Sequence, residues 1–518
     1  MDADRASHPI PTAGTTVRFG TAAGRWVLLG MVLGSGVASL DATVVNVALP
    51  RLGADLNADF AGLQWVLNGY TLTLASLILV GGALGDHFGR RRIFGIGVVW
   101  FAAASLLCGL APNVTMLVVA RMLQGVGGAL LTPGSLAIIQ ASFHPDDRAR
   151  AIGAWSGLGG VTTAIGPFVG GYLVDVASWR WIFLLNLPLS AVVLWITAHH
   201  VPESRSPPTG SRLDWPGALL GAIGLAGTTW GLIERSWPIG IVGIVALVVF
   251  VVAEARQRAP MLPLAIFGSR QFSATNLTTL FVYAGLAMVF FMLGLVLQLA
   301  LGYSPVEAGA ATFPLTAIML VFSARAGALA QKIGPRWPMT IGPLAIACGL
   351  VLMIRIEPGR SYIAAVLPAV LIFAGGLALT VAPLTATVLA AADAEHSGVA
   401  SGVNNTVARV GGLLAVAAVP LVAGFDPGVD VSPTELVDGF HTALRWAAGL
   451  VVLGAAIAWT NVRATTLARA TGDDPTPVDQ RHPCYHCGSD APPLAPLTHS
   501  LTHSLTRSDD QDAASFQS

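Results

Sequence analysis

The sequence predicts an all-α polytopic membrane protein with fourteen transmembrane helices, on three observations. Of its 518 residues 54% are hydrophobic and only 11% charged, with a mean hydropathy of +0.69, which excludes a water-soluble globular surface. Apolar windows of about 18 to 25 residues recur along the chain, each long enough at ~1.5 Å per residue to cross roughly 30 Å of hydrocarbon. The basic residues, all Arg except Lys332, gather on alternate connections.

In order, the apolar cores are 26–49, 63–85, 93–111, 114–140, 151–173, 181–199, 215–233, 238–254, 275–300, 306–330, 338–356, 362–390, 398–423 and 440–460. With the N-terminus placed in the cytoplasm, both tails and alternate connections hold twenty basic residues, among them Arg18, Arg25, Arg90, Arg91, Arg92, Arg148, Arg150, Lys332 and Arg336. The opposite connections hold five, Arg51, Arg180, Arg235, Arg355 and Arg360. That excess orients both termini to the cytoplasm. Arg121, Arg409 and Arg445 fall inside spans. The first span runs past 20 residues without a small-residue cleavage pattern, so it is expected to stay in the membrane. The near-exclusive use of Arg with abundant Ala and Gly points to a GC-rich bacterial genome and thus a bacterial cell membrane. Cys108 and Cys348 read as small apolar fillers, and Cys484 and Cys487 lie in the tail, so no disulfide framework is expected.

An internal repeat organises the chain. GALGDHFGRR (Gly82–Arg91) matches GALAQKIGPR (Gly327–Arg336) at an offset of 245, with Gly82/Gly327, Ala83/Ala328, Leu84/Leu329, Gly89/Gly334 and Arg91/Arg336 identical. The two copies close the second and tenth spans. Five units follow: a tail over 1–25, a six-helix bundle over 26–200, a linker with two inserted helices over 201–259, a second six-helix bundle over 260–462 and a disordered tail over 463–518. Two parallel halves related about the membrane normal are the construction of alternating-access transporters, with the substrate site between them. Pro, Ser and charge mark 201–214 as a connection, and Pro260 and Pro263 break any helix in the segment 256–272.

Four stretches carry chemistry. GALGDHFGRRR supplies Gly82 and Gly89 for a tight turn and Asp86 to accept from an Arg or a helix N-terminus, with Arg90 and Arg91 beside it. LVVARMLQGVGGALL (Leu117–Leu131) puts Arg121 inside a span, where a charge costs ~2.5–3.5 kcal/mol on insertion scales and needs an interior partner. LDATVVNVALP (Leu40–Pro50) puts Asp41 at a similar depth, nine residues before Pro50, as Arg121 stands eight after Asn113. GLGGVTTAIGPFVGGYL (Gly157–Leu173) carries Pro167, which can bend a helix, flanked by Gly166, Gly170 and Gly171, which allow close packing.

These stretches, with LQWVLNGYTLTLA (Leu63–Ala75), SWRWIFLLNLPLS (Ser178–Ser190), LDWPGALL, LGYSPVEAGAATFP and SGVASGVNNTVARVGG, resemble the major facilitator superfamily, and specifically its fourteen-helix drug:proton antiporters, over roughly 25–462. The resemblance implies a major facilitator fold and proton-coupled export of hydrophobic or cationic drugs and antibiotics. It also implies a gating role for the Gly82–Arg92 turn and for the Pro167 helix. The same turn read without it is a positive-inside anchor, and Trp179 and Trp181 read as interfacial anchors.

Burial favours a neutral carboxyl and a nearby cation favours the charged one, so a buried Asp beside an Arg can trade a proton. Asp41 is therefore expected to carry the proton with Arg121 beside it; a static tether between two helices is the alternative. Trp65, Tyr70, Phe281, Met288, Phe291 and Met292 are candidates to line an apolar cavity or to face lipid, and Asn405 and Arg409 share one helix face. His482, Cys484, His486 and Cys487 lack a second ligand pair at finger spacing, so no metal site is expected there. No cofactor and no nucleic-acid partner is expected. The expected partners are a small-molecule substrate, protons and the bilayer, and the state a monomer. No clustered nucleophile suggests an enzyme and no continuous polar lining suggests a channel. A dedicated exporter of one metabolite, such as a self-made antibiotic or an amino acid, and a proton-coupled importer share the same fold.

Overall fold

The computed structural model describes residues 16–205, 214–257, 260, 262–391, 397–425 and 431–463. Fourteen helices there are long and apolar enough to span a membrane: α1 Ala22–Leu56, α2 Phe60–Phe88, α3 Arg90–Gly109, α4 Val114–Ser142, α5 Pro145–Val176, α6 Trp181–His200, α7 Trp215–Ile233, α8 Trp237–Arg256, α9 Arg270–Ala300, α10 Pro305–Ile333, α11 Arg336–Met353, α12 Tyr362–Ala390, α13 Val399–Ala423 and α14 Pro433–Asn461. Only closed backbone hydrogen bonding is tolerated in lipid, and helices achieve it within each segment. Polar residues at the ends satisfy the orphan donors: Asp59 accepts from Gly62 at 2.8 Å to start α2 and Asn113 from Met116 at 2.9 Å to start α4. Ser304 and Ser432 form capping boxes with Glu307 and Glu435 at α10 and α14.

The same helix pairs touch in each half. α1 packs on α5 as α9 packs on α13, α2 on α4 as α10 on α12, and α3 on α4 as α11 on α12. The repeat is visible in the backbone as well. Gly89 and Gly334 lie 245 residues apart, each between two helices, at φ +108° and +82°. These are conformations that a side chain resists and glycine adopts freely. α7 and α8 form a hairpin on the outside, resting on α2 and α13.

Several expected boundaries move. α1 does not leave at Pro50 but continues to Leu56 with Pro50 inside it. The missing Pro50 donor frees the Asn46 carbonyl, which is where Gly294 of α9 comes close. α14 begins at Pro433, seven residues before its expected apolar core, because the Ser432 capping box stabilises a polar first turn. The connection of α2 to α3 shrinks to Gly89 alone. Trp179 is buried and donates to Asp55 at 2.9 Å, so it packs inside and is no interfacial anchor; Trp181 is exposed. Residues 206–213, the tail from 464 onward and its His482, Cys484, His486 and Cys487 lie outside the described residues.

The face where α1 begins and α14 ends is the Arg-rich one. At the opposite face the halves interlock. Gln298 of α9 donates to the Val47 carbonyl of α1 at 2.9 Å, and Phe60 meets Phe291 and Phe425 edge-on at 5.4 and 5.0 Å. Backbone runs against backbone at Gly171 and Pro305, and again at Gly309 and Pro167. Towards the Arg-rich face, α5 and α10 part. Gly153, Gly157, Gly159 and Gly160 have nothing within reach of an added Cβ, and Leu320, Val321 and Phe322 stand exposed.

Candidate functional site

Asp41 lies near the middle of α1, where a 35-residue helix carries it far from either end. Its side chain and that of Arg121 are essentially inaccessible, and they form a direct ion pair. Arg121 stands seven residues into α4, and its Nε donates to the Val66 carbonyl of α2 at 3.0 Å. Its guanidinium sits over the Tyr70 ring, 4.4 Å from the centroid, with Phe183 of α6 at 5.7 Å, two faces that favour a desolvated cation.

Two neutral amides complete the cluster. Gln124, one helical turn beyond Arg121, accepts from Arg121 Nη1 and donates to Asp41 Oδ1 at 2.8 Å and to Ser105 Oγ of α3 at 2.8 Å. Asn186 of α6 donates to the same Asp41 Oδ1 at 2.9 Å and approaches Ser105 Oγ at 3.3 Å. Thus α1, α3, α4 and α6 converge on one carboxylate that receives three donors. In a low-dielectric interior, this satisfaction is what makes a buried charge tolerable. Protonating Asp41 would remove the charge on which all three donors converge.

Gln124, Ser105 and Asn186 were not among the residues singled out from sequence. Gln124 three positions after Arg121, and Asn186 inside an apolar run, were the available signals. Asp41 and Arg121 were singled out, and the structure brings them together. Asp41 points into the first bundle, whereas α1 meets α9 through Asn46 and Val47.

The other expected residues separate. Tyr70 packs under Arg121 rather than lining an open cavity. Trp65 donates to Glu234 at 2.8 Å and packs on Trp230 at 5.3 Å, so it faces the inserted hairpin. Phe291 belongs to the closed opposite face, Met288 and Met292 are buried in the packed core, and Phe281 lies beside Gly454 of α14. These positions are packed because α9 runs through the centre of its bundle, where large side chains fill gaps between helices. Asn405 is exposed and Arg409 half-buried, on the stretch of α13 between its α2 and α9 contacts.

In the turn at Gly89, Asp86 pairs with Arg90 at 2.7 Å, and Arg90 also reaches the Ala137 carbonyl of α4 at 3.3 Å. Glu203, after α6, accepts from the Arg91 amide at 3.0 Å. These described partners belong to the first bundle. Gly82 lies beside Pro133 of α4. On α5, Gly166 and Gly170 lie on Thr43 and Val44 of α1, while Gly171 and Pro167 face α10. The Pro167 helix is therefore shared between the two halves.

Two bundles around a cleft with a charged cluster inside one of them agree with what comparison finds. Residues 31–416 match the model of the Major Facilitator Superfamily. The chain is 34% identical to a puromycin resistance protein of Streptomyces alboniger, over 86% of this chain and 92% of that protein. It is 36% identical to a methylenomycin A resistance protein of Bacillus subtilis, over 76% and 86%, and 36% identical to a cephamycin export protein of Amycolatopsis lactamdurans, over 83% and 90%. Among solved structures, a bacterial homolog of the human lysosomal transporter Spinster superposes with a TM-score of 0.63 at 18% identity, over 87% of this chain and 98% of that one. A D-xylose–proton symporter superposes at 0.61 and 18%, over 86% and 99%, and both show the shared fold. Fourteen apolar spans, two matching halves and this extent of identity make the chain a multi-pass membrane transporter of the major facilitator superfamily.

Proposed function

We propose that this protein is a proton-coupled antiporter that exports hydrophobic, antibiotic-like molecules across a bacterial cell membrane by alternating access. Both termini are cytoplasmic in this reading, so the open Arg-rich face receives substrate from inside, and the working unit is the monomer. The observation that carries it is Asp41, the one fully buried acid of the first six helices, tied to Arg121 within a bundle that interlocks with its twin at the opposite face while α5 and α10 part towards the Arg-rich one. Proton arrival at Asp41 releases Arg121, Gln124 and Asn186 from their common target. Helices α1 and α4 then shift against each other, and α1 carries that shift to α5 and α9.

The relatives named above each bear the name of a single antibiotic. That favours a narrow substrate range as the second reading: one antibiotic-like metabolite rather than many drugs.

The test is export by the full chain in an efflux-deficient bacterium, with a panel of antibiotics and dyes, before and after a protonophore. Export that collapses with the protonophore supports the proposal. The Asp41→Asn variant is expected to reach the membrane at normal levels and lose proton-driven export; retained proton-driven export overturns the role of Asp41. A single exported compound would select the narrow reading.

A further inference from the structure

Arg409 stands near the middle of α13, ten residues past Val399 and fourteen before Ala423, where a lone charge is costly in lipid. Its neighbours on the helix show which way it faces. Asn404 donates to Asn276 and Thr279 of α9 at 3.1 and 2.8 Å, and Gly411 and Gly412 lie on Leu280 and Ala287 of α9. On another side, Gly402 lies on Leu79 of α2, and the Val416 carbonyl accepts from Gln64 of α2. Gly402, Arg409 and Val416 recur every seven residues, so Arg409 lies on the side turned to α2, at the seam of the two halves, and Asn405, which is exposed, lies between the two sides.

The level of Arg409 follows from the same contacts. α13 runs antiparallel to α2, with Gln64 at Val416 and Leu79 at Gly402, which sets Arg409 level with Thr71 and one residue from Tyr70. Against α9 the pairing of Asn404 with Thr279 and of Gly412 with Ala287 sets it level with Ala284, one residue from Tyr283. Tyr70 Oη is buried with no hydrogen-bond partner among the described residues. Arg409 itself has no ion pair or hydrogen bond among them. By contrast, Arg121 is neutralised by Asp41 and shares its remaining donors with Val66 and Gln124.

Charge at the seam is therefore one-sided. Asp41 is enclosed inside the first bundle and cancelled by Arg121. The acids of α9 to α14 stand in the first two turns of α10 and α14, Glu307, Glu435 and Asp438, at the opposite face. Among the described residues, the stretches of α2, α9 and α13 level with Arg409 carry no carboxylate, and a substrate there meets Arg409. We propose that the substrate site lies at Arg409 and selects organic anions: molecules with an apolar, mostly aromatic body and one carboxylate or acidic hydroxyl. The guanidinium fork takes the anionic oxygens, and Asn405 offers an amide one turn towards the open face. Since α13 meets α2 of the other half at this level, one bound anion touches both halves.

This inference rests on the exporter reading but predicts something separate, a charge preference. The full chain in inside-out membrane vesicles with an imposed proton gradient is given fluorescein, an anionic aromatic probe, or ethidium, a cationic one. Fluorescein is expected to accumulate faster. The fluorescein-to-ethidium ratio should fall at least about ten-fold in Arg409→Gln, through KM, and recover in Arg409→Lys at equal protein abundance. A wild-type preference for ethidium, or a ratio unchanged in Arg409→Gln, overturns the proposal. If neither probe accumulates, the exporter reading fails by itself, and the charge preference is read from equilibrium binding of the two probes to purified protein. Binding of fluorescein that is lost in Arg409→Gln then sustains the anion site, and equal binding by both proteins overturns it.

Discussion

Asn186 and Gln124 donate to one and the same oxygen, Asp41 Oδ1, at 2.9 and 2.8 Å from α6 and α4. Arg121 takes the other oxygen, so the carboxylate is clasped from three sides by groups on two helices. Hydrogen bonds to a charged group contribute about 1.5–3 kcal/mol each. Asn186→Ala should therefore slow proton-driven efflux about ten-fold while leaving the Asp41–Arg121 pair in place. Because both amides serve one oxygen, Asn186→Ala and Gln124→Ala should not add. A double-mutant cycle on initial efflux rates should return a coupling free energy of roughly 0.5–3 kcal/mol.

Gly171 of α5 is packed so closely that a Cβ would overlap the Pro305 carbonyl of α10. Gly171→Leu must hold α5 and α10 apart at the opposite face, because backbone cannot yield as a flexible side chain can. Transport should be lost with membrane insertion preserved. The check is a single cysteine at Phe291, now buried, in a chain whose four native cysteines are replaced. It should react with a membrane-impermeant thiol reagent added from outside only when Gly171→Leu is also present. Equal protection in both proteins would show that the interlock does not close that face.

How much of this was legible in the sequence follows from what lipid does to a chain. Lipid forces long apolar helices, so the fourteen spans and the repeat marked by Gly89 and Gly334 could be read directly. The ends were less legible, since α14 gains its first turns from the Ser432–Glu435 capping box and α1 passes through Pro50. Asp41 and Arg121 stood out because a charge in an apolar run is costly. Gln124 and Asn186 did not, because a neutral amide costs less and occurs in spans that merely pack. Trp65, Met288 and Phe291 were the least legible. An apolar side chain looks the same in sequence whether it meets lipid, a neighbouring helix or a substrate.

The inserted hairpin is fastened to both halves at the opposite face. Glu234, which ends α7, accepts from Trp65 of α2 at 2.8 Å. The next residue, Arg235, at φ +50°, donates to the Pro420 and Phe425 carbonyls at the end of α13. The hairpin thus spans the seam on the side away from α5 and α10. Replacing both residues, Glu234→Ala with Arg235→Ala, should loosen that side. Each contact is partly exposed, so about 1 kcal/mol apiece is expected rather than the buried value. The thermal midpoint in detergent should fall by a few degrees, and efflux should weaken without vanishing. Complete loss of efflux at an unchanged midpoint would give the two residues a role beyond fastening.

Gly89 and Gly334 occupy equivalent places in the two halves, and they allow a comparison within one molecule. Both have positive φ, +108° and +82°, in a region where an alanine costs on the order of 1–3 kcal/mol. Gly89 carries a second constraint, because a Cβ there would stand 2.9 Å from the Glu203 carboxylate, the group that accepts from the Arg91 amide. Gly89→Ala must therefore strain the backbone and also push Glu203 off Arg91. Adding Glu203→Ala should restore part of the thermal midpoint lost in Gly89→Ala, because the side chain in the way is then gone, and should restore none of that lost in Gly334→Ala. No recovery in Gly89→Ala would mean that Glu203 yields freely, and that the turn is held by its backbone alone.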